Sequence, residues 1–159
     1  FILVNANTRT NTKIIDLYSQ TTTDINEAGF EVDSKQIDQI KSLIRSYSNT
    51  SEFMVFSGSV CKGMNTNEYL NLLKSVPSQQ LVIDAEGSML EVSLHAEPFL
   101  IKPNIHELEA LVHTQLSSDE AIKQACLSLI HQFKIQNILV SDDLIHIKVS
   151  DYLYSTSPN

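Results

Sequence analysis

The sequence predicts an α/β protein, in which a doubly wound, mainly parallel sheet carries helices on both faces and a small β lid lies at the amino-terminal end. From residue 34 onward, short apolar runs alternate with segments of helical periodicity, an order typical of parallel α/β sheets. The apolar runs are continuous, as in strands that are covered on both faces. Polar residues follow these runs, at the edge where such sheets bind ligands; they are Ser57, Asp84, Lys102 and Ser141.

Residues 1–30 differ from the rest of the chain, because they are rich in Thr and Asn and lack helical periodicity. Short strands are predicted at 1–4, 13–17 and 21–25 from their β-branched and apolar residues. A two-faced β unit of this size is not stable alone. We therefore divide the chain into a β lid, residues 1–30, and an α/β core, residues 31–159.

The elements of the core follow from periodicity and capping signals. A helix is predicted from Ser34 through Tyr47 with Asp33 as its N-cap, and a second helix at 66–76. A short helix around 89–94, one that begins after Asn104, and one at 122–133 opened by a capping box at 117–120 complete the set. Strands are predicted at 53–56, 81–83, 99–101 and 138–140, with an antiparallel extension at 144–149 and 152–154.

The most informative segment of the core is Lys102-Pro103-Asn104, with Glu107 three residues later. Pro103 disfavours helix at Lys102, so the lysine stands at the end of the preceding strand. Asn104 and Glu107 form the pattern of a capping box that opens a helix. A cation, an amide and a carboxylate at one helix N-terminus suit a phosphate and its magnesium, although a plain helix cap explains the same letters.

Three polar residues of the lid, Arg9, Asn11 and Lys13, are spaced two apart and would project to one face of a strand. A guanidinium, an amide and an ammonium on one face can grip a phosphate that the substrate already carries. The alternative is an ordinary solvated strand face.

Composition excludes some classes of partner. The net charge of −8 argues against general binding of nucleic acid or of an anionic membrane. No apolar run approaches the about 20 residues that span a bilayer. Cys61 and Cys126 are far apart and lack metal-ligand spacing, so we expect a reduced, cytoplasmic protein.

The order of five segments over residues 8–141 resembles the ribokinase-like (PfkB) carbohydrate kinases, and within them the 1-phosphofructokinase and tagatose-6-phosphate kinase branch. The segments are Thr8-Arg9-Thr10-Asn11-Thr12-Lys13, Ile25-Asn26-Glu27-Ala28-Gly29, Ser57-Gly58-Ser59-Val60, Asp84-Ala85-Glu86-Gly87 and Lys102-Pro103-Asn104. The resemblance implies ATP and Mg²⁺ as cofactors, a sugar phosphate as substrate, and a homodimer formed through the lid.

The resemblance also implies roles for individual residues. Arg9, Asn11 and Lys13 would hold the substrate's phosphate, and Ser57, Gly58 and Ser59 would line the sugar site. Lys102 would be the catalytic cation at the transferred phosphate and would share nucleotide binding with Asp84 and Ser141. Asn104 and Glu107 would order magnesium through water.

The chain departs from the family pattern in two places. Asp142-Asp143-Leu144 replaces a glycine-rich turn, and no Gly-Ala-Gly-Asp segment, which carries the family's anion hole and general base, occurs in the 159 residues. The sequence also begins in a strand-like run at Phe1. We therefore expect a fold that is incomplete at both ends, and a chain that is inactive by itself.

Three functions are compatible with these residues. The first is the central part of an ATP-dependent kinase acting on a ketohexose phosphate. The second is a non-catalytic remnant that binds a sugar phosphate or regulates such a kinase. The third, an unrelated doubly wound signalling receiver with Asp84 as phosphoacceptor, lacks the acidic cluster that receivers place after their first strand.

Overall fold

The computed structural model describes residues 2–141 and 146–150 and contains two separate sheets. The smaller sheet pairs β1 (Asn11–Asp16) with β2 (Thr21–Asn26) in antiparallel register, and every residue of both strands is exposed. The larger sheet has five strands in chain order: β3 (Met54–Ser57), β4 (Leu81–Asp84), β5 (Leu100–Ile101), β6 (Asn137–Ser141) and β7 (His146–Ser150).

The first four strands of the larger sheet are parallel, and β7 runs antiparallel to β6. Five helices connect or precede the strands: α1 (Ser34–Ser48), α2 (Thr66–Leu73), α3 (Gly87–Ser93), α4 (Ile105–Val112) and α5 (Asp119–Phe133). This arrangement confirms the predicted parallel α/β core and, through 146–150, the antiparallel extension. The strand predicted at 152–154 lies outside the described residues.

One face of the sheet forms the core. Ile83, Ile101 and Ile138 are register partners on three neighbouring strands, and none of them is exposed. Helix residues pack against this row, and burial raises the pKa of the Cys126 thiol on α5 to about 12. The opposite face is less covered, since Val55 of β3 remains 64% exposed. Burial therefore alternates along strands whose sequences are continuously apolar.

Three helices begin with the same reciprocal capping box, formed by Asp33 with Gln36, Asn65 with Glu68, and Asn104 with Glu107. In each, the cap side chain accepts an N–H from the third helical residue, whose own side chain accepts the N–H of the cap. The box predicted at 117–120 is wrong. Ser118 is the N-cap of α5 and accepts from the Ala121 N–H, and alanine has no side-chain acceptor to return the bond.

The largest differences from the predicted elements lie at the end of α2 and at residues 2–4. Helix α2 ends at Leu73 rather than at residue 76, because Pro77 disfavours helix at the residue before it and the Ser75 hydroxyl donates to the Leu72 carbonyl. Residues 2–4 are not a strand, since no neighbouring strand among the described residues pairs with them. Ile2 and Val4 instead line an apolar cavity of about 620 Å³ beside α1 and β3.

None of the helices in the described part of the chain is long and apolar enough to span a membrane.

Candidate active site

The predicted polar residues of the core meet at the carboxyl edge of the parallel strands. Ser57 and Asp84 are register partners at the ends of β3 and β4, and Lys102 follows β5 directly. The Lys102 N–H donates to the Ile83 carbonyl over 2.9 Å, and the Ser141 N–H donates to the Pro103 carbonyl over 3.0 Å. Backbone hydrogen bonds between neighbouring strands therefore fix the spacing of these side chains.

The Asp84 carboxylate lies between Ser57 and Lys102. Its Oδ1 is 2.9 Å from the Lys102 Nζ, and its Oδ2 accepts a hydrogen bond of 3.1 Å from the Ser57 hydroxyl. Asp84 and Lys102 side chains are each 38% exposed, so the ion pair is partly screened and worth at most about 1 kcal/mol. The sequence argument that a carboxylate at this strand end needs a partner is therefore met by the protein itself.

Asn104 and Glu107 lie at the N-terminus of α4, immediately beyond Lys102 and Pro103. The Asn104 N–H donates to Glu107 Oε2 over 2.8 Å, and the Glu107 N–H donates to Asn104 Oδ1 over 2.8 Å. Asn104 also forms a parallel bridge with Ser141, the last residue of β6. A cleft of about 410 Å³ runs from Asn104 and Glu107 to Gly87 at the start of α3.

The same Asn-x-x-Glu pattern opens α2, where Asn65 and Glu68 make equivalent hydrogen bonds of 2.8 and 3.0 Å. Helix α2 begins at Thr66, nine residues after Ser57 at the end of β3, whereas α4 begins at Ile105, four residues after Ile101 at the end of β5. The pattern is therefore a way of starting a helix wherever it occurs. Its position at the strand edge, beside Lys102, is what distinguishes the pair in α4.

The turn after β3 contains Gly58, one of the three residues expected to line the sugar site. Gly58 has φ +83°, but nothing lies within 4 Å of the place where a Cβ would be. The turn thus requires glycine for its backbone angle, and the space beside it is open. Close approach occurs instead at Gly63, where a Cβ would lie 2.2 Å from the Val32 carbonyl oxygen.

The lid residues form a separate group. Asn11 and Lys13 are two apart in β1, but Arg9 precedes the strand, so the prediction that all three share a strand is wrong. Beyond Asn11 the Glu27 N–H still donates to the Thr10 carbonyl over 3.3 Å, but the Thr10 N–H donates to the Glu27 carboxylate over 2.7 Å and not to a backbone carbonyl. The Lys13 Nζ lies 3.6 Å from Asp24 Oδ1.

Sequence reasoning missed the contact between Ser57 and Asp84. It places both residues at the carboxyl edge, but it assigns Ser57 to the sugar and Asp84 to the nucleotide and does not align the ends of their two strands. A register argument, which aligns the last residues of the runs at 53–56 and 81–83, could have found this pair.

The donors at this edge fit the cofactors implied by the sequence. Asp84, Asn104 and Glu107 offer carboxylate and amide oxygens, the ligands that Mg²⁺ takes. Residues 2–141 and 146–150 hold no group of three or more His, Cys, Asp or Glu that could bind a metal ion. Mg²⁺ does not need such a group, because it commonly binds one or two carboxylates and keeps several waters. Lys102 and the α4 N-terminus suit a phosphate.

Comparison with known proteins identifies the family to which the chain is similar. Residues 1–143 match the pfkB family of carbohydrate kinases. A 1-phosphofructokinase of Borreliella burgdorferi is 31% identical over 142 residues, which are 89% of this chain and 45% of that protein. A tagatose-6-phosphate kinase of Staphylococcus epidermidis is 31% identical over 110 residues, which are 67% of this chain and 36% of that protein.

The fold has a counterpart among solved structures. The structure of Escherichia coli phosphofructokinase-2 in complex with fructose-6-phosphate matches with a TM-score of 0.74 at 21% identity, over 89% of this chain and 48% of that one. At this identity the likeness establishes the ribokinase-like fold. The chain spans about half the length of the curated relatives that it matches. Because the family match extends over most of the sequence, the chain belongs to the pfkB family of carbohydrate kinases.

Proposed function

We propose that the chain is part of an ATP- and Mg²⁺-dependent kinase that phosphorylates a ketohexose phosphate, of the 1-phosphofructokinase or tagatose-6-phosphate kinase type. The observation that carries the proposal is the convergence of Ser57, Asp84 and Lys102 with the N-terminus of α4 at one sheet edge. Phosphoryl transfer depends on positioning and on neutralising charge, and this edge offers both a cation and oxygen donors.

Each residue of the edge has a role in this proposal. Lys102 contacts the phosphoryl group that is transferred, and Asp84 and Ser141 lie on the nucleotide side. Asn104 and Glu107 orient the water shell of the metal ion. Magnesium-ATP, when bound, supplies the phosphoryl group and most of its counter-charge.

The substrate side of the proposal includes the lid. Ser57, Gly58 and Ser59 contact the sugar, and Arg9, Asn11 and Lys13 hold the phosphate already on it. The lid, residues 1–30, would close over the sugar and pair with the lid of a second copy. Large apolar side chains on the lid support this pairing, since Ile15 is 61% exposed and Leu17 is 87% exposed, and exposed apolar groups favour association.

The test is a phosphotransfer assay on the full-length protein that contains this chain, from ATP to fructose 1-phosphate, tagatose 6-phosphate and fructose 6-phosphate, followed through ADP release. Lys102→Met is expected to lower kcat by about 10²- to 10³-fold, as removal of one charge-stabilising donor does in other enzymes. Lys134→Met, which breaks an ion pair with Glu97 instead, serves as the matched control. Absence of transfer to all three sugar phosphates, or full activity of Lys102→Met, would contradict the proposal.

The two Asn-x-x-Glu boxes provide a second test. Glu107→Gln should raise the Mg²⁺ concentration needed for half-maximal activity by several-fold, because it removes a carboxylate from the metal's surroundings. Glu68→Gln alters the equivalent box of α2 and should leave that concentration unchanged. Equal shifts in the two variants would show that capping, and not metal binding, explains the effect.

A second candidate function is sugar-phosphate binding without turnover, in a regulatory or assembly role. It is favoured by Asp142-Asp143-Leu144, which stands where the family pattern has a glycine-rich turn near the nucleotide. Calorimetry with fructose 1-phosphate would then show binding that Arg9→Ala weakens, with no ADP formed from ATP. Either function would take place in the cytoplasm, which supplies ATP and keeps thiols reduced. The free thiols of Cys61 and Cys126 are compatible with that compartment.

A further inference from the structure

The Asp84 carboxylate contacts two different side chains, one at each oxygen. Lys102 approaches Oδ1 at 2.9 Å, and the Ser57 hydroxyl donates to Oδ2 over 3.1 Å. The ammonium and the carboxylate neutralise each other, so Lys102 in this state attracts a phosphate less than a free ammonium would. Lys102, which is proposed to contact the phosphate, is therefore held by Asp84, which is proposed to lie near the metal.

The geometry allows the lysine to be displaced. Both side chains are 38% exposed, and a pair of this kind is stabilised by about 1 kcal/mol or less. A divalent cation carries twice the charge of the ammonium and competes for the same carboxylate oxygen. Ser57, on the neighbouring strand, would retain its hydrogen bond to Oδ2 and keep the carboxylate oriented after the lysine leaves.

We propose that Asp84 exchanges Lys102 for a divalent cation, and that Ser57 is a positioning residue that holds the carboxylate through the exchange. Cation binding at Asp84 then releases Lys102 toward an anionic phosphate. Metal binding and phosphate binding are thereby coupled, and each strengthens the other to the same degree. The inference rests on the proposed function for the identity of the two ligands.

The chain contains a matched ion pair for comparison. The Lys134 Nζ lies 3.1 Å from Glu97 Oε1, and these residues precede β6 and β5, at the opposite edge of the sheet. The pair has similar length, and its carboxylate has no part in the proposed site. The acylation rate of Lys134 therefore measures any general effect of Mg²⁺ on lysine reactivity in the same sample.

The experiment is trace acylation of lysine amines on the whole chain, read by peptide mass spectrometry, in MgCl₂ or in NaCl of equal ionic strength. Release from the Asp84 carboxylate makes the Lys102 side chain more accessible to the reagent, so its amine acylates faster. We expect Mg²⁺ to raise the acylation rate of Lys102 about two- to fivefold, which corresponds to the free energy of a partly exposed ion pair. The acylation rate of Lys134 should not change. Asp84→Asn should acylate quickly at Lys102 in both salts. Equal rates at Lys102 in the two salts, or an equal response at Lys134, would overturn the proposal.

The role of Ser57 has its own variants. Ser57→Ala should reduce the response of Lys102 to Mg²⁺, and Ser57→Thr, which keeps the hydroxyl, should restore it. Ser42→Ala removes a hydroxyl that bonds only within α1 and should respond as the original chain does. An undiminished response in Ser57→Ala would overturn the positioning role.

The acylation measurement needs no catalysis, so it separates the two proposals. A full-length protein that shows the lysine response but transfers no phosphate would retain the exchange and contradict the kinase assignment. A chain that transfers phosphate without a lysine response would retain the kinase assignment and contradict the exchange.

Discussion

The lid and the carboxyl edge of the sheet are both proposed to hold a phosphate, but they hold their cations differently. In the lid, Lys13 stands on a fully exposed two-stranded sheet and lies 3.6 Å from Asp24. At the edge, Lys102 follows the fully buried Ile101 and lies 2.9 Å from Asp84. Packing of the core therefore places the edge lysine, whereas the lid cations depend on few contacts and must be ordered by their ligand, at an entropic cost.

The largest expected effect tests whether core packing supports the edge. Ile101→Ala should lower the free energy of unfolding by about 2–5 kcal/mol, because it leaves a cavity in a fully buried row of three isoleucines. Ile15→Ala in the lid, at a side chain that is 61% exposed, should lower it by less than about 1 kcal/mol. Urea unfolding followed by circular dichroism measures both. Similar losses in the two variants would remove the distinction between the regions.

The next effect concerns the two equivalent capping boxes, at the start of α4 beside the carboxyl edge of the sheet and at the start of α2 away from it. Asn104→Ala and Asn65→Ala should each lower the free energy of unfolding by about 1 kcal/mol, the usual cost of losing an N-cap. Urea unfolding of the two variants should therefore give similar midpoints. A much larger loss in Asn104→Ala would contradict the equivalence of the two caps.

A smaller effect is expected in the lid. Asp24→Asn removes the partner of Lys13, whose side chain is 62% exposed. The free energy of unfolding should change by no more than about 0.5 kcal/mol, and the difference should vanish in concentrated salt because of screening. Thermal unfolding at low and high salt checks this. A loss that persists in high salt would show that the lid is held more firmly than its exposure indicates.

The smallest effect is a pH dependence in the turn between β1 and β2. Hydrogen bonds from Ser19 and Tyr18 lower the pKa of Asp16 below its ordinary value of 3.8. A depressed pKa in the folded state means that the turn is stabilised above pH 3.8, and that this stability is lost as pH falls through the lower folded value. An NMR titration of the Asp16 carboxyl carbon should give a midpoint under 3.8. Asp16→Asn should remove that step.

The regions also differ in how far the sequence predicts them. Core strands were found because continuous apolar runs bounded by Gly, Pro and Asx residues indicate buried strands through local composition alone. The edge residues followed, since parallel strands present their carboxyl ends together. The alternating burial could not be read from the same runs, because Val55 is as apolar as its neighbours and differs only in what covers it.

The lid boundaries required information that is not local. Arg9 lies outside β1, and beside it the Thr10 N–H donates to the side chain of Glu27, seventeen residues later, so that only the Glu27 N–H continues the backbone pairing. Residues 2–4 have the composition of a strand but lack a neighbouring strand among the described residues. The bond from Ser57 to Asp84 likewise depends on register between strands, which no single segment encodes.

The reciprocal box at the start of α4 has a consequence for the cost of recruiting a ligand. The Asn104 and Glu107 side chains are each anchored to the other's backbone N–H, so their rotamers are restricted as soon as the helix forms. Restricting a side chain as long as glutamate costs about 1.5–2 kcal/mol of rotamer entropy at most. Here folding has already met that cost, so the donors at this end of the sheet are preorganised and an incoming ion need not immobilise them.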